Sequence, residues 1–141
     1  MRHWIIPANP RIYKLDNALK DLNGVIDWRQ YNNFEIGDIV FIYCSKPISQ
    51  IIYQMEVIAT NITSEYTIAD QEYWNSPSDF KISLYNNRFF RISLMAENKT
   101  DKLTLNDILN HGLNGVPQGA LIVKEPLLSY LKEVFQQQQH Y

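Results

Sequence analysis

The sequence predicts an α+β domain built on a small, partly closed β-barrel of five to six mixed or antiparallel strands, with short helices flanking it. Short apolar runs with strand-type patterning recur along the chain, and turn residues separate them at hairpin-like intervals. This close spacing disfavours winding into parallel strand-helix-strand units. We expect one domain over residues 1–135, followed by a disordered tail over 136–141.

Residues 1–60 predict one helix among four strands. Apolar residues at positions 15, 18, 19 and 22 recur at helical spacing, and Gly24 lies where the chain turns out of this helix. Gly37 and Asp38 form a turn before a continuous apolar run, which is typical of a buried strand. The predicted strands are His3–Ile6, which opens the sheet or lies at its edge and ends at Pro7, then Val25–Trp28, Ile39–Cys44 and Ile51–Thr60.

Residues 61–100 predict a loop followed by a hairpin. Polar residues dominate 61–79, which we expect to be a loop with one helical turn. The segments Phe80–Tyr85 and Phe89–Ala96 alternate apolar and polar residues, and the two asparagines at 86 and 87 between them suit a tight turn. The two segments are therefore predicted to pair as a β-hairpin.

Residues 101–141 predict two helices around a short strand. Thr104 and Asp107 have the spacing of a capping box, which begins a helix that Gly112 ends. Ala120–Val123 is a predicted strand, and Pro126–Phe135 is a predicted helix with an apolar stripe. The glutamine run that follows has no periodicity, which is why the tail is expected to be disordered.

Composition and charge restrict the function. Thirteen basic and fifteen acidic residues give a net charge of −2, which argues against a protein that binds nucleic acid mainly by neutralising many phosphates. No apolar run is long enough for a signal peptide or a membrane span, so we expect a cytoplasmic protein without a membrane partner. Aromatic residues make up 13% of the chain. Their large flat side chains can either fill a core or stack on planar ligands.

The sequence has no complete set of catalytic or metal-binding residues. It contains no Gly-rich phosphate loop and no nucleophile or zinc-protease motif. Cys44, the only cysteine, lies inside an apolar strand and is expected to be a core residue. His3 is expected to be structural, and His111 suits the C-terminal end of a helix. We therefore predict a protein that is not an enzyme and that holds no metal or cofactor.

Aromatic residues beside small polar residues are the candidate binding site. Aromatic rings can stack on a planar guest, while amide, hydroxyl and carboxylate groups bond the edge of its ring. The same arrangement can instead close the end of a barrel core, and the sequence leaves both interpretations open. The candidate ligand-binding residues are Trp4, Asn9, Tyr13, Asp27, Trp28, Tyr43, Ser45, Gln118 and Gly119.

Several short motifs, taken in order, resemble the EVE domain of the PUA-like superfamily, in the form that accompanies restriction-type nucleases. They are His3-Trp4-Ile-Ile-Pro7-Ala-Asn9-Pro10, Ile26-Asp27-Trp28, the run 36–43 with Pro47, the helix Leu103–Gly112 and the loop Gly115–Gly119. The resemblance covers residues 3–60 and 103–131 and hardly touches 61–88. The chain departs from the family around Asn9, where many EVE domains have Lys or Ser.

The resemblance implies a PUA-like barrel that binds a modified nucleobase, chiefly a modified cytosine in DNA, with RNA-binding relatives. The pocket that it implies consists of Trp4, Asn9, Trp28, Tyr43, Ser45 and Gln118. The residues expected to contact phosphates near a flipped base are Arg11, Lys14, Arg29 and Lys46. The chain carries no nuclease motif, so the expected partners are a nucleic acid with a modified base and a separate nuclease or regulatory protein.

The sequence leaves three other functions open. The chain could be an RNA-binding PUA-like module, or an enzyme with Asp27 or His3 as acid or base. It could also be a protein-interaction adaptor whose aromatic residues all belong to the core. Full burial of Trp4, Trp28 and Tyr43 with no cavity among them would favour the adaptor.

Overall fold

The computed structural model describes residues 1–138, which contain one six-stranded sheet, four α-helices and two short 3₁₀ segments. The strands are β1 (His3–Ala8), β2 (Val25–Arg29), β3 (Ile39–Cys44), β4 (Gln50–Ile62), β5 (Phe89–Glu97) and β6 (Leu121–Ile122). The helices are α1 (Leu15–Asp21), α2 (Pro77–Leu84), α3 (Leu105–Asn110) and α4 (Leu127–Gln138), and the 3₁₀ segments are Ser64–Tyr66 and Gln71–Tyr73. Over this described range, no helix is long and apolar enough to span a lipid bilayer.

The sheet is mixed and open, so the predicted barrel closure is wrong. Its strand order is β2-β5-β4-β3-β1-β6, and the two edge strands β2 and β6 do not pair with each other in the described chain. β1 and β3 run parallel across a connection that contains α1 and β2, whereas the other neighbours run antiparallel. The hairpin-like spacing of the strands did not reveal this one parallel pair.

The sheet lies between two helical layers, unlike the sheet of the small barrel that was predicted. All six residues of β3 are buried, so both faces of this central strand need apolar cover. Val40 and Ile42 pack in a cluster with α1 on one face. Phe41 and Tyr43 pack in a second cluster with α3 and α4 on the other face. In a small barrel without covering helices, the core side chains lie on the inner face alone, whereas here both faces of β3 carry them.

The predicted hairpin is also wrong, because the segment assigned to its first strand, Phe80–Tyr85, lies almost entirely in α2. Ser76 caps this helix by accepting a hydrogen bond from the backbone N–H of Asp79 at 3.4 Å, and Pro77 is its first residue. Ile82, predicted to point inward, is 60% exposed. The Ser-Pro-Ser-Asp run is thus a helix start, and β5 pairs with β2 and β4 instead.

The other predicted elements are present with shifted ends. β1 runs through Pro7 to Ala8 and lies between β3 and β6 rather than at an edge. The capping box of Thr104 and Asp107 is complete in both directions. α4 continues to Gln138, into the segment predicted to be a disordered tail, and residues 139–141 lie outside the described residues.

Asp38 fixes the N-terminus against the turn before β3. Its buried carboxylate accepts hydrogen bonds from the backbone N–H groups of Arg2 and Glu35 and from the indole of Trp4, each at 3.0 Å. The guanidinium of Arg2 lies 3.8 Å from it. Burial opposes ionisation of Asp38, but these donors and the Arg2 charge outweigh burial and hold the pKa of the carboxyl below its usual value.

We expect Asp38→Asn to lower the free energy of unfolding at pH 7 by about 1–3 kcal/mol, because an amide cannot accept all of these buried hydrogen bonds. A lowered carboxyl pKa gives stability that is present above about pH 4 and is lost as the pH falls through the folded-state pKa. Urea denaturation at a series of pH values should therefore show the wild-type and variant curves converging in acid. The exposed neighbour Glu35 supplies the control, since Glu35→Gln should keep the wild-type pH dependence. Curves that stay parallel would contradict this role of Asp38.

Candidate functional site

A cavity of about 320 Å³ lies at the carboxyl ends of β1 and β3, beside β2. Its remaining walls come from α2 and from the segments 67–74 and 116–118. The volume is at the lower end of the range for small-molecule sites, about 300–1,000 Å³. The predicted site residues that line it are Asn9, Tyr13, Asp27, Trp28, Ser45, Gln118 and, from the predicted phosphate contacts, Arg29.

Three predicted ligand-binding residues lie outside this cavity. Trp4 is buried in the core, where it packs on Phe34 and donates to Asp38. Tyr43 is buried on the opposite face of the sheet from Trp4, in the cluster with α3 and α4. Gly119 lines two neighbouring hollows instead. The pocket was expected to centre on Trp4, Trp28 and Tyr43, and the structure places only Trp28 of these three at the cavity, because the sheet itself separates Trp4 from Tyr43.

Three aromatic rings form one wall of the cavity. The indoles of Trp28 and Trp74 both pack at steep angles on the Tyr13 ring, with centroids 5.6 and 5.2 Å from it. Tyr13 is buried, whereas the two indoles are only partly buried. Edge-to-face packing is a favoured geometry for aromatic pairs, and it fixes the orientation of the rings. The two partly buried indoles are therefore already in position at the cavity.

Asp70 joins the members of this aromatic wall. Its carboxylate accepts hydrogen bonds from the Tyr13 hydroxyl at 3.0 Å and from the Trp74 indole N–H at 3.3 Å. Burial raises the pKa of Asp70 despite these donors. Burial and the nearby Asp70 charge also raise the pKa of Tyr13, so its hydroxyl stays protonated and donates. The cavity thus contains a desolvated carboxylate, a feature that is common at functional sites.

A second carboxylate, Asp27, ties β2 to β5 and to the segment after β4. The Arg91 guanidinium donates to both of its oxygens, from Nε at 2.8 Å and from Nη2 at 3.0 Å. The backbone N–H of Ile68 donates to it at 2.7 Å. Arg91 also donates to the Tyr66 carbonyl at 3.2 Å, and its hydrogen bonds to Asp27 raise its pKa. Asp27 is thus an anchor as well as a cavity residue.

The contribution of residues 61–79 was not foreseen from the sequence, which indicated a loop with one helical turn. The segment contains both 3₁₀ turns. Tyr13 and Trp74 form an isolated β-bridge, and the backbone N–H of Lys14 donates to the Tyr73 carbonyl at 2.7 Å. The signal in the sequence was the presence of aromatic residues in an otherwise polar segment. Their partners lie more than fifty residues away in the chain, where no local pattern indicates them.

One predicted phosphate contact, Arg29, lies at the cavity. Its guanidinium carbon is 5.7 Å from the centre of the Trp74 ring, which is a cation-π distance. Arg11, Lys14 and Lys46 are exposed and lie outside the cavity lining. Their contact with phosphate stays a prediction.

The cysteine and the histidines of the described chain lie away from the cavity. Cys44 is buried as predicted, and burial raises the pKa of its thiol to about 12. His3 stacks on Phe41 with 6.3 Å between ring centres, and burial lowers its pKa. His111 stacks on Tyr130 at 3.6 Å. Among residues 1–138, no three His, Cys, Asp or Glu side chains are grouped to hold a metal ion.

The fold, unlike the sequence, is similar to known proteins. No family model matches the chain, and no curated protein matches it. Among solved structures, the ASCH protein of Zymomonas mobilis superposes with a TM-score of 0.66 at 13% identity, over 94% of this chain and 95% of that one. A hypothetical protein from Leishmania major gives 0.64 at 15% identity, over 99% and 97%. Rpa0253 from Rhodopseudomonas palustris gives 0.60 at 14% identity, over 97% and 94%.

These likenesses define the class of fold. The chain has the α+β fold of ASCH domains, which is a PUA-like fold. The PUA-like fold that the sequence resemblance implies is therefore confirmed, whereas the relation to EVE domains stays a prediction. At identities of 12–16% the similarity concerns the fold alone.

We expect Arg91→Ala to lower the free energy of unfolding by about 2–4 kcal/mol, because it leaves the buried Asp27 carboxylate without its charged partner. Urea denaturation measures this change, and limited proteolysis should show faster cleavage within residues 61–79. Arg88→Ala is the matched control. Among residues 1–138 the Arg88 guanidinium bonds only the neutral side chains of Asn61 and Asn33, so its loss should change the unfolding free energy by less than about 1 kcal/mol. Similar effects of the two substitutions would show that Asp27 does not depend on Arg91.

Proposed function

We propose that this domain binds single-stranded or unpaired nucleic acid and takes one unstacked base into the cavity beside Trp28. The observation that carries the proposal is a cavity of about 320 Å³ bordered by partly buried indoles of fixed orientation. Stacking a base on an aromatic side chain contributes about 1–3 kcal/mol. The net charge of −2 suits local recognition of a base better than neutralisation of many phosphates.

RNA is the polymer that the fold favours. The PUA-like superfamily includes RNA-binding domains. RNA is recognised in sequence chiefly at loops, bulges and ends, where bases are already unstacked. A base from such a site avoids the few kcal/mol that extrusion from a duplex costs.

A modified cytosine in DNA, the ligand implied by the resemblance to EVE domains, is the second candidate. The observation that favours it is the presence of two carboxylates, Asp27 and Asp70, in the cavity wall, because carboxylates accept hydrogen bonds from the cytosine amino group. A separate nuclease or regulatory protein would then act at the bound site. In both cases the domain is proposed to bind without catalysing a reaction.

Trp28→Ala should weaken the binding of a six-nucleotide single-stranded RNA roughly 5- to 150-fold, which corresponds to the loss of one stacked base. Fluorescence anisotropy of labelled RNA measures the affinity. Tyr85→Ala is the matched control, because Tyr85 is 83% exposed and lies outside the cavity lining. Unchanged affinity in Trp28→Ala would exclude the cavity as the binding site. Tighter binding of DNA with 5-methylcytosine than of any RNA would favour the second candidate.

Arg29→Gln should reduce the dependence of RNA affinity on salt, because Arg29 is the one basic side chain that lines the cavity among residues 1–138. For one lost phosphate contact on a single strand, the slope of log affinity against log salt should become shallower by about 0.7. Titrations at four salt concentrations measure the slope. Lys20→Gln, an exposed substitution on α1, should leave it unchanged. Equal slopes for wild type and Arg29→Gln would show that Arg29 makes no phosphate contact.

A further inference from the structure

In one part of the cavity wall, the side chains of Tyr13, Asp70 and Trp74 accept hydrogen bonds but have no proton left to donate. The Tyr13 hydroxyl and the Trp74 indole N–H both donate to Asp70. Each of these groups carries a single polar proton, so both donors are used. What these three side chains present to a guest is the lone pairs of the Asp70 carboxylate and of the Tyr13 oxygen.

Asp70 has acceptor capacity to spare. A carboxylate has about four lone-pair sites, and Tyr13 and Trp74 engage two of them. Asp27 already accepts three hydrogen bonds, two from Arg91 and one from Ile68. Asp70 is therefore the carboxylate with more capacity for a guest. Because burial has removed part of its water, a donor from the guest would replace lost solvation.

We infer that the cavity selects a base with an exocyclic amino group, such as cytosine or adenine, by accepting a hydrogen bond from that group at Asp70. The inference rests on the proposed function, since it assigns the class of base that the same cavity takes. Cytosine N4 and adenine N6 donate, whereas thymine and uracil carry a carbonyl oxygen in place of the cytosine amino group. That carbonyl oxygen and the Asp70 carboxylate are both acceptors, so they cannot form a hydrogen bond with each other. Both would also lose the hydrogen bonds that they make to water.

The donors of the cavity complement this wall. Asn9 and Gln118 line the cavity and carry amide N–H groups. The Asn9 Oδ1 accepts the backbone N–H of Arg11 at 2.9 Å, so the Nδ2 end is the half of this amide that a guest can use. Cytosine and adenine both have a ring acceptor next to the amino group. A ring that donates to Asp70 can thus accept from such an amide.

The test compares the affinity of wild-type protein for four six-nucleotide RNAs at pH 7.5. They consist of cytidine, adenosine, uridine, and the ribonucleoside of pyrimidin-2-one, a cytidine analogue without the amino group. The cytidine and adenosine oligomers should bind roughly 5- to 150-fold more tightly than the other two, the range for one well-matched contact to a base edge.

Asp70→Asn should bind uridine RNA more tightly and cytidine RNA more weakly than wild type, because its amide can donate to a carbonyl oxygen. Asp21→Asn is the matched control. It removes a carboxylate that also accepts from a tyrosine, Tyr73, at 2.9 Å, but that lies outside the cavity lining. This control should keep the preference for cytidine.

Equal binding of the cytidine, uridine and pyrimidin-2-one oligomers would overturn the inference and leave the proposed function standing. A preference that survives in folded Asp70→Asn would also overturn it, by removing Asp70 from the recognition. Failure of wild type to bind any of the four RNAs, or single-stranded DNA of the same sequences, would overturn both proposals. The comparison of oligomers on wild-type protein gives its result even if Asp70→Asn folds poorly.

Discussion

The buried carboxylate of Asp27 joins three stretches of chain at the wall of the cavity. It lies on the edge strand β2, and it accepts hydrogen bonds from Arg91 on β5 and from the backbone of Ile68 in the segment after β4. That segment has little regular structure, so it depends on such contacts to satisfy its backbone groups. A second contact, from Tyr13 to Asp70, holds the same segment farther along. The cavity lies between these two anchors.

The apolar core and the cavity occupy different parts of the sheet. The layers around β3 supply the apolar core, with α1 on one face and α3 and α4 on the other. The cavity lies where the parallel strands β1 and β3 end, beyond the part of the sheet that the helices cover. Aromatic packing and the hydrogen bonds of Asp27 and Asp70 together complete its walls, so carboxylates and partly buried rings border one space.

The parts that were predictable from the sequence are those with local signals. The capping box at Thr104 and the continuous apolar run of β3 both appear as predicted. The prediction of a partly closed barrel was wrong because the pattern of apolar and polar residues identifies single strands. Whether a sheet closes depends on whether its two edge strands pair, which that pattern does not show. Tyr43 lies on the face of the sheet that α3 and α4 cover. The spacing of residues along β3 does not indicate which helices cover which face. Asp70 was missed because one of its two partners, Tyr13, is distant in the chain and local polarity indicated a loop.

The most direct test follows the indole N–H signals of the three tryptophans by proton-nitrogen NMR while single-stranded RNA is added. Trp28 and Trp74 line the cavity, and Trp4 donates to Asp38 in the core as an internal reference. A base that enters the cavity should shift the Trp28 and Trp74 signals to saturation and leave the Trp4 signal in place. RNA binding that leaves the Trp28 and Trp74 signals unmoved would contradict the assignment of this cavity as the nucleobase site.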